Sequence, residues 1–296
     1  MYIFLAFLAP LFFSISILIE SHLVNNIFKN KFTLLALSGI LNLVFLPIIL
    51  LIGTPHLFDI NLLWAFLLIA FLEVFYLLPY FKALEYDDSS SVASFFTLGK
   101  IIIPILSYFI AKETLNLQQY FGFIIIIIST FSLSFFKLNG KIKLNKSVLY
   151  MIISSLLTSL SAVIWKYIFN SIDFITGFFW VSLFTFFINI SFFISKKIRI
   201  DAKKNYNLFL LNFKFFFLNE LAIFIGTITS NYAVSLGSVS VVKAISSISA
   251  FYILFLTLIF HKFSPHLFKE NITLKSIYKK SFWFIFIIIG TFLILN

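Results

Sequence analysis

The sequence contains two similar stretches, KETLNLQQYFGFIIIIISTF at residues 112–131 and KENITLKSIYKKSFWFIFIIIGTF at residues 269–292. Each begins with Lys-Glu, continues through a short polar segment and ends in an apolar run that closes with Thr-Phe. When the runs are aligned from Phe121 and Phe282, they are identical at eight of eleven positions. Such similarity within one chain indicates an internal repeat.

The composition indicates that this chain is surrounded by a lipid bilayer. Hydrophobic residues make up 61% of the 296 residues and charged residues only 11%, and the mean hydropathy is +1.07. A soluble domain carries roughly a quarter charged residues. Apolar runs of about 18 residues or more recur along this chain, and each is long enough to cross a hydrocarbon core of about 30 Å. We therefore predict a multi-pass, all-α membrane protein.

Charge pattern and residue types disfavour several functions. The formal net charge is +11, but the lysines fall in short loops and form no basic groove, so we expect no nucleic-acid partner. The chain has no cysteine, and its four histidines lack the spacing of a metal site. It also has no glycine-rich phosphate loop. We therefore expect no metal, no other cofactor and no enzymatic activity.

Ten apolar runs predict ten spanning helices joined mostly by short loops. The predicted spans are 2–24, 32–53, 62–84, 91–111, 120–137, 148–169, 174–194, 214–236, 238–261 and 281–295.

The internal similarity extends along both halves of the chain in the same order. The aligned segments are SILIESHLV (16–24) with SAVIWKYIF (161–169), Ala83-Leu84 with Ala233-Val234, and Glu113 with Glu270. Each half holds five helices, an odd number, so the second half must enter the membrane from the opposite face. We predict ten transmembrane helices in two inverted five-helix repeats, residues 1–139 and 147–296, an architecture that many secondary transporters use.

The first half resembles a known family. Its segment YFKALEYDDSSSVASFFTLGKIIIPILSYFIAKETLNLQQYFGF (80–123) is similar to the EamA-type transporters of the drug/metabolite transporter superfamily. The matching positions are Ala83-Leu84, residues 89–92, Pro104, Glu113, Gln119 and Gly122. The second half has no counterpart to Pro104 or Gly122. The resemblance implies transport of small metabolites without ATP.

Ionisable residues within the predicted spans are candidates for the functional site, because a charge at mid-bilayer costs about 2.5–3.5 kcal/mol on insertion scales. Glu73 and Lys100 fall at similar depths on neighbouring helices, so we predict that they pair across a central cavity walled by tyrosines. The predicted substrate- or ion-binding residues are Glu20, Glu73, Tyr76, Tyr80, Lys100, Lys166, Glu220, Asn231 and Lys243. The alternative for each charge is a structural ion pair that fixes helix register.

Nearly all loop lysines and arginines fall on one side of the predicted bundle, with Lys112 as the exception. The positive-inside rule places that side in the cytoplasm and both termini outside.

These patterns predict a secondary transporter of small metabolites in the cell (inner) membrane, working by alternating access around a midplane cavity. Proton coupling through a glutamate, uniport and exchange remain open. The alternatives are a lipid-linked carrier flippase of similar fold and a non-transporting membrane protein. The expected partners are a small-molecule substrate and the bilayer, and we expect a monomer or a homodimer.

Overall fold

The computed structural model describes residues 1–135, 146–261 and 274–295, and the regular secondary structure of these residues is helical throughout. The α-helices before residue 136 are α1 (Tyr2–His22), α2 (Lys31–Ile52), α3 (Leu63–Phe75), α4 (Leu77–Tyr86), α5 (Ser89–Lys100), α6 (Ile103–Ile110) and α7 (Leu117–Phe135). Those that follow are α8 (Lys146–Ser171), α9 (Phe174–Ser191), α10 (Lys196–Lys204), α11 (Tyr206–Leu211), α12 (Phe213–Leu236), α13 (Val239–Ile245), α14 (Ser249–His261) and α15 (Leu274–Leu295). The predicted all-α class is confirmed.

Seven helical segments within the described residues are long and apolar enough to cross a membrane. They are Tyr2–Ile27, Lys31–Ile52, Ile60–Tyr86, Lys146–Ser171, Phe174–Ile194, Phe213–Leu236 and Val239–Ile259. The bent pair α5 and α6 makes an eighth if it forms one span. Shorter apolar helices, Leu117–Ser129 and Ser281–Ile294, lie within α7 and α15. The chain is therefore a multi-pass membrane protein.

Two prolines interrupt helices that the sequence predicts as continuous. Proline has no backbone N–H, so it leaves the carbonyl four residues earlier without its helical partner. Pro79 stands four residues after Phe75, where α3 ends, and Pro104 stands four residues after Lys100, where α5 ends. The axes of α5 and α6 differ by 43°. The second break places the ammonium-bearing Lys100 at a helix end beside an irregular turn.

The segment 195–213, predicted as a loop, contains the short helices α10 and α11. α10 is amphipathic: Ile198 and Ala202 are buried, whereas its lysines point outward. The hydroxyl of Thr33 donates to the Asp201 carboxylate at 2.5 Å and ties α10 to the start of α2. This nine-residue polar helix lacks the long apolar run that predicts a spanning helix.

Helix pairs from the two parts of the chain pack closely. α1 lies along α12, α2 along α9, and α7 along α15, while α8 contacts α3, α4 and α5. At the α7–α15 contact, a Cβ on Gly122 would lie 2.5 Å from the carbonyl oxygen of Gly290, and a Cβ on Gly290 would lie 2.7 Å from that of Gly122. The two glycines therefore allow backbones to touch, as small residues do in membrane helix pairs.

Candidate functional site

A cavity of about 320 Å³ is lined by residues from both parts of the chain, from α1 to α6 in the first part and from α8, α9, α12, α13 and α14 in the second. This volume falls at the lower end of the range for small-molecule sites. Of the nine predicted site residues, eight line it: Glu20, Glu73, Tyr76, Tyr80, Lys100, Glu220, Asn231 and Lys243.

Glu20 on α1 and Glu220 on α12 form what we call the acidic pole of the cavity. They are 5% and 3% exposed. The hydroxyl of Tyr80 donates to Glu20 Oε2 at 2.7 Å. The Asn219 side chain accepts from the Ser16 hydroxyl at 2.9 Å and donates to Glu220 Oε1 at 3.4 Å. Among the described residues, no basic side chain lies within 4.0 Å of either carboxylate.

Lys100 at the end of α5 and Lys243 on α13 form the basic pole. Lys100 Nζ donates to the hydroxyls of Ser246 and Ser247 at 2.8 and 3.1 Å. Lys243 Nζ donates to the hydroxyl of Ser230 at 3.1 Å. In the described part of the chain, neither ammonium has a carboxylate within 4.0 Å. Both cations are thus held by neutral oxygens.

The predicted ion pair between Glu73 and Lys100 is wrong. Glu73 Oε1 accepts from the Ser161 hydroxyl at 2.6 Å and from the Trp165 indole at 3.2 Å, so it is bound to α8. Lys100 reaches in another direction, to the serines that follow α13. Similar depth on neighbouring helices did not fix which way two long side chains point. Glu73 interacts electrostatically with Lys243, without an ion-pair contact.

Aromatic side chains wall the cavity. The rings of Tyr76 and Tyr80 lie 6.4 Å apart, and Tyr80 also packs on Phe96 at 5.4 Å between centroids. Tyr80 is 2% exposed and Asn231 3%. Tyr76 and Tyr80 therefore stay on the cavity face with Glu73 despite the helix break between them.

Lys166 is the predicted site residue that does not line the cavity, and its role in binding stays a prediction. Its ammonium donates to the carbonyl oxygens of Val234 at 3.1 Å and Gly237 at 2.8 Å, at the end of α12. The last carbonyls of a helix lack intrahelical partners, so a nearby lysine binds them favourably. The Glu113 carboxylate lies 4.0 Å away.

Glu113 binds the other side of the same turn. Its carboxylate accepts from the Ser238 hydroxyl at 3.0 Å and from the Val239 backbone N–H at 3.1 Å, at the start of α13. We call Glu113 and Lys166 the hairpin bracket, because together they hold the α12–α13 turn between the α6–α7 loop and α8. Glu270, which the sequence aligns with Glu113, lies outside the described residues.

Asp173, which begins α9 outside the spans, shows the electrostatics of a helix start. Burial opposes its ionisation, but hydrogen bonds from the Thr176 hydroxyl and backbone N–H outweigh burial and lower the pKa of Asp173. Its carboxylate accepts from the Thr176 N–H at 2.9 Å, and the Thr176 hydroxyl accepts from the His56 N–H at 3.0 Å. This network connects α9 to the loop before α3.

Sequence reasoning missed Ser161, Asn189 and Asn219. Asn219 joins α1 to Glu220 at the acidic pole, and Ser161 orients Glu73. Both asparagines lie in apolar runs and line the cavity, so an uncharged amide within a span was the signal available. A serine in a span gives a weaker signal, because it is common at helix contacts.

The comparisons with known proteins agree with this architecture. Twenty-six chains of solved structures match. One of them, titled "Crystal structure of protein", has a TM-score of 0.60 and 15% sequence identity, over 97% of this chain and 98% of its own. That identity is low enough for the likeness to show the fold alone. None of the curated proteins matches. The EamA-like transporter family model matches residues 1–135. This match confirms, over residues 1–135, the resemblance to EamA-type transporters that residues 80–123 predict.

Proposed function

We propose that this protein is a secondary transporter that moves small metabolites across the cell (inner) membrane by alternating access around the central cavity. The observation that carries the proposal is the cavity itself. It lies where helices from both parts of the chain meet, and it is lined by five charged side chains from five helices, none of which makes an ion-pair contact within the described residues. An intramembrane charge of this kind marks a substrate or ion path by default. The family match supports a membrane transporter of small molecules.

We further propose ten spans in two inverted repeats, 1–139 and 147–296, with α3–α4, α5–α6 and α13–α14 as one span each. Two aligned carbonyl groups accept similar hydrogen bonds, which supports this arrangement. Leu84 and Val234 are aligned in the two halves, and each accepts at 3.1 Å from a side chain on the first span of its own half, Asn25 and Lys166 respectively. The donors themselves are not aligned, since Lys166 corresponds to Ser21. The packing of α1 on α12 likewise corresponds to that of α8 on α3 and α4.

The hairpin bracket provides a candidate closure at one face. Glu113 and Lys166 bind the two ends of a turn between helices whose other residues line the cavity. Breaking these contacts would free α12 and α13 to move apart from α8. In alternating access such a closure opens when the opposite face closes.

Proton coupling through a glutamate is part of the proposal. Glu20 and Glu220 lie buried in the cavity wall without a basic partner within 4.0 Å among the described residues. A carboxylate in that setting binds a proton more readily than one in water. Uniport and exchange are the other outcomes of the test.

Solute uptake by purified protein in liposomes tests the proposal. Amino acids, nucleosides and cofactors are screened by counterflow, without ATP, and with or without a pH gradient at zero membrane potential. We expect saturable uptake of at least one class that is lost in Lys100→Met. Asp59→Asn, which changes an exposed loop residue, serves as the matched control. No counterflow of any solute would contradict the transport proposal. Rates independent of the gradient, in wild type and in Glu20→Gln and Glu220→Gln, would remove proton coupling alone.

A further inference from the structure

The cavity separates its charges by sign. Glu20 and Glu220 lie close enough to repel each other, and Lys100 and Lys243 also repel each other. Removing one charge from water costs several kcal/mol unless an opposite charge compensates it. Glu73 offsets Lys243 only at a distance, since its carboxylate is held by α8. Within the described residues, neither pole therefore has an opposite charge in ion-pair contact.

One distance between the poles follows from α12. Ser230, which holds the ammonium of Lys243 at 3.1 Å, stands ten residues after Glu220 on this helix. At a rise of about 1.5 Å per residue, the two positions are about 15 Å apart along the axis. Side chains tilt toward the start of a helix, so the longer Glu220 side chain leans away from Ser230.

A second distance follows from the contact of α1 with α14. The Ser14 hydroxyl donates to the carbonyl oxygen of Ser249 at 3.0 Å, so these two residues lie at the same height along α1 and α14. They run in the same direction, since the first residues of α1 pack on the turn before α13. Glu20 lies six residues after Ser14, and Ser246, a partner of Lys100, lies three residues before Ser249. These offsets separate Glu20 from Ser246 by about 13 Å, in agreement with the first distance.

An open acceptor lies beside the acidic pole. Asn189 is 5% exposed and lines the cavity, and its amide oxygen has no hydrogen-bond partner in the described part of the chain. It packs on Gly39, next to Ser38, whose hydroxyl interacts with Glu220. The acidic pole therefore has three acceptor groups and lacks a cationic donor.

We infer that the cavity binds an elongated organic zwitterion, with its cationic group at Glu20 and Glu220 and its anionic group at Lys100 and Lys243. This substrate class rests on the proposed transport function. With a hydrogen bond of about 2.8 Å at each end, poles about 13–15 Å apart along the helices accept charged ends about 7–9 Å apart. An α-amino acid, whose two charges flank one carbon, reaches one pole only. Tyr76, Tyr80 and Trp165 also line the cavity and offer an aromatic wall to the apolar middle of such a ligand.

Two isomeric probes distinguish binding of an elongated zwitterion from binding of an α-amino acid. 8-Aminooctanoate and 2-aminooctanoate have the same atoms and charges, but the charged ends of the first are about 10 Å apart when the chain is extended, and a bend in the chain brings them to about 7–9 Å. Binding to the wild-type protein is measured by calorimetry in detergent, with octanoate and octylamine as controls that lack one charge. We expect 8-aminooctanoate to bind at least tenfold more tightly than its isomer and than either control.

Two variants test which pole binds which charged end of 8-aminooctanoate. Glu220→Gln should reduce the advantage of 8-aminooctanoate over octanoate, and Lys100→Met its advantage over octylamine, while Asp59→Asn preserves both. Each variant is first checked for monodispersity and thermal unfolding, and the isomer comparison in the wild type needs no variant. Equal binding of the isomers, tighter binding of 2-aminooctanoate or binding of neither overturns the inference. If the 8-isomer binds but neither it nor any other solute shows counterflow, the transport proposal fails and the zwitterion site stands. If other solutes are transported without a length preference, the zwitterion site fails and the transport proposal stands.

Discussion

Replacing Glu113 by alanine should loosen one specific turn, the junction of α12 and α13. Glu113 accepts two hydrogen bonds there, from the Ser238 hydroxyl and the Val239 N–H, and its side chain is 12% exposed. Removing a cap from a helix start costs about 0.5–2 kcal/mol. Because the carboxylate is charged but partly accessible to water, which replaces some of the lost bonding, we expect about 1–2 kcal/mol.

That free energy corresponds to a factor of roughly 5 to 30 in an opening equilibrium. Amide hydrogen exchange measures such local opening directly, so the amides of Val239 and Val242 in Glu113→Ala should exchange faster by this factor. Glu85→Ala is the matched control, since Glu85 binds Lys31 away from this turn. Unchanged exchange at residues 239–242 in Glu113→Ala, or equal acceleration in the control, would refute the role of the hairpin bracket.

Three further predictions concern helix contacts and the cavity. Gly122→Leu should lower the melting temperature of the purified protein, because even a Cβ at this position would lie 2.5 Å from a backbone oxygen. Leu117→Ala, at an exposed position of the same helix, should leave the melting temperature nearly unchanged. Hydrogen bonds lower the pKa of Asp173 below its ordinary value of 3.8. Its contribution to the free energy of unfolding should therefore be complete above pH 3.8 and disappear as the pH falls through the lower pKa of the folded state. Asp173→Asn should lack this contribution, and a pH profile of unfolding identical to that of the wild type would contradict it. Glu73→Gln should keep the indole of Trp165 bound through the amide oxygen and leave Trp fluorescence largely unshifted, whereas Glu73→Leu should shift it.

The sequence predicted the features that depend on residue type alone, namely on hydrophobicity and charge. Apolar runs gave the helical membrane class, and intramembrane charges gave most of the residues that line the cavity. Burial of a charge is costly wherever it occurs, so a charged residue within a span must face protein or water. This argument requires no knowledge of which helices are neighbours, which is why it placed Glu20, Glu220 and Lys243 at the cavity.

Which groups form hydrogen bonds with one another depends on three-dimensional geometry that a sequence pattern does not contain. The missing N–H of Pro79 ends α3 at Phe75, and that of Pro104 ends α5 at Lys100. The second break leaves Lys100 as the last residue of α5, and there its ammonium binds serines after α13 instead of Glu73. Lys166 lies outside the cavity lining, because its long flexible side chain reaches the carbonyls at a neighbouring helix end.

Accessibility of one cavity residue from both faces of the membrane tests alternating access most directly. The natural chain has no cysteine, so Thr158→Cys, at a position that lines the cavity, introduces a single reactive thiol. Labelling with a membrane-impermeant reagent is measured in liposomes from outside, and from inside with reagent trapped in the lumen. We predict labelling from both faces, slowed from both by a transported solute. Labelling from one face only, whatever solute is present, would contradict transport around this cavity.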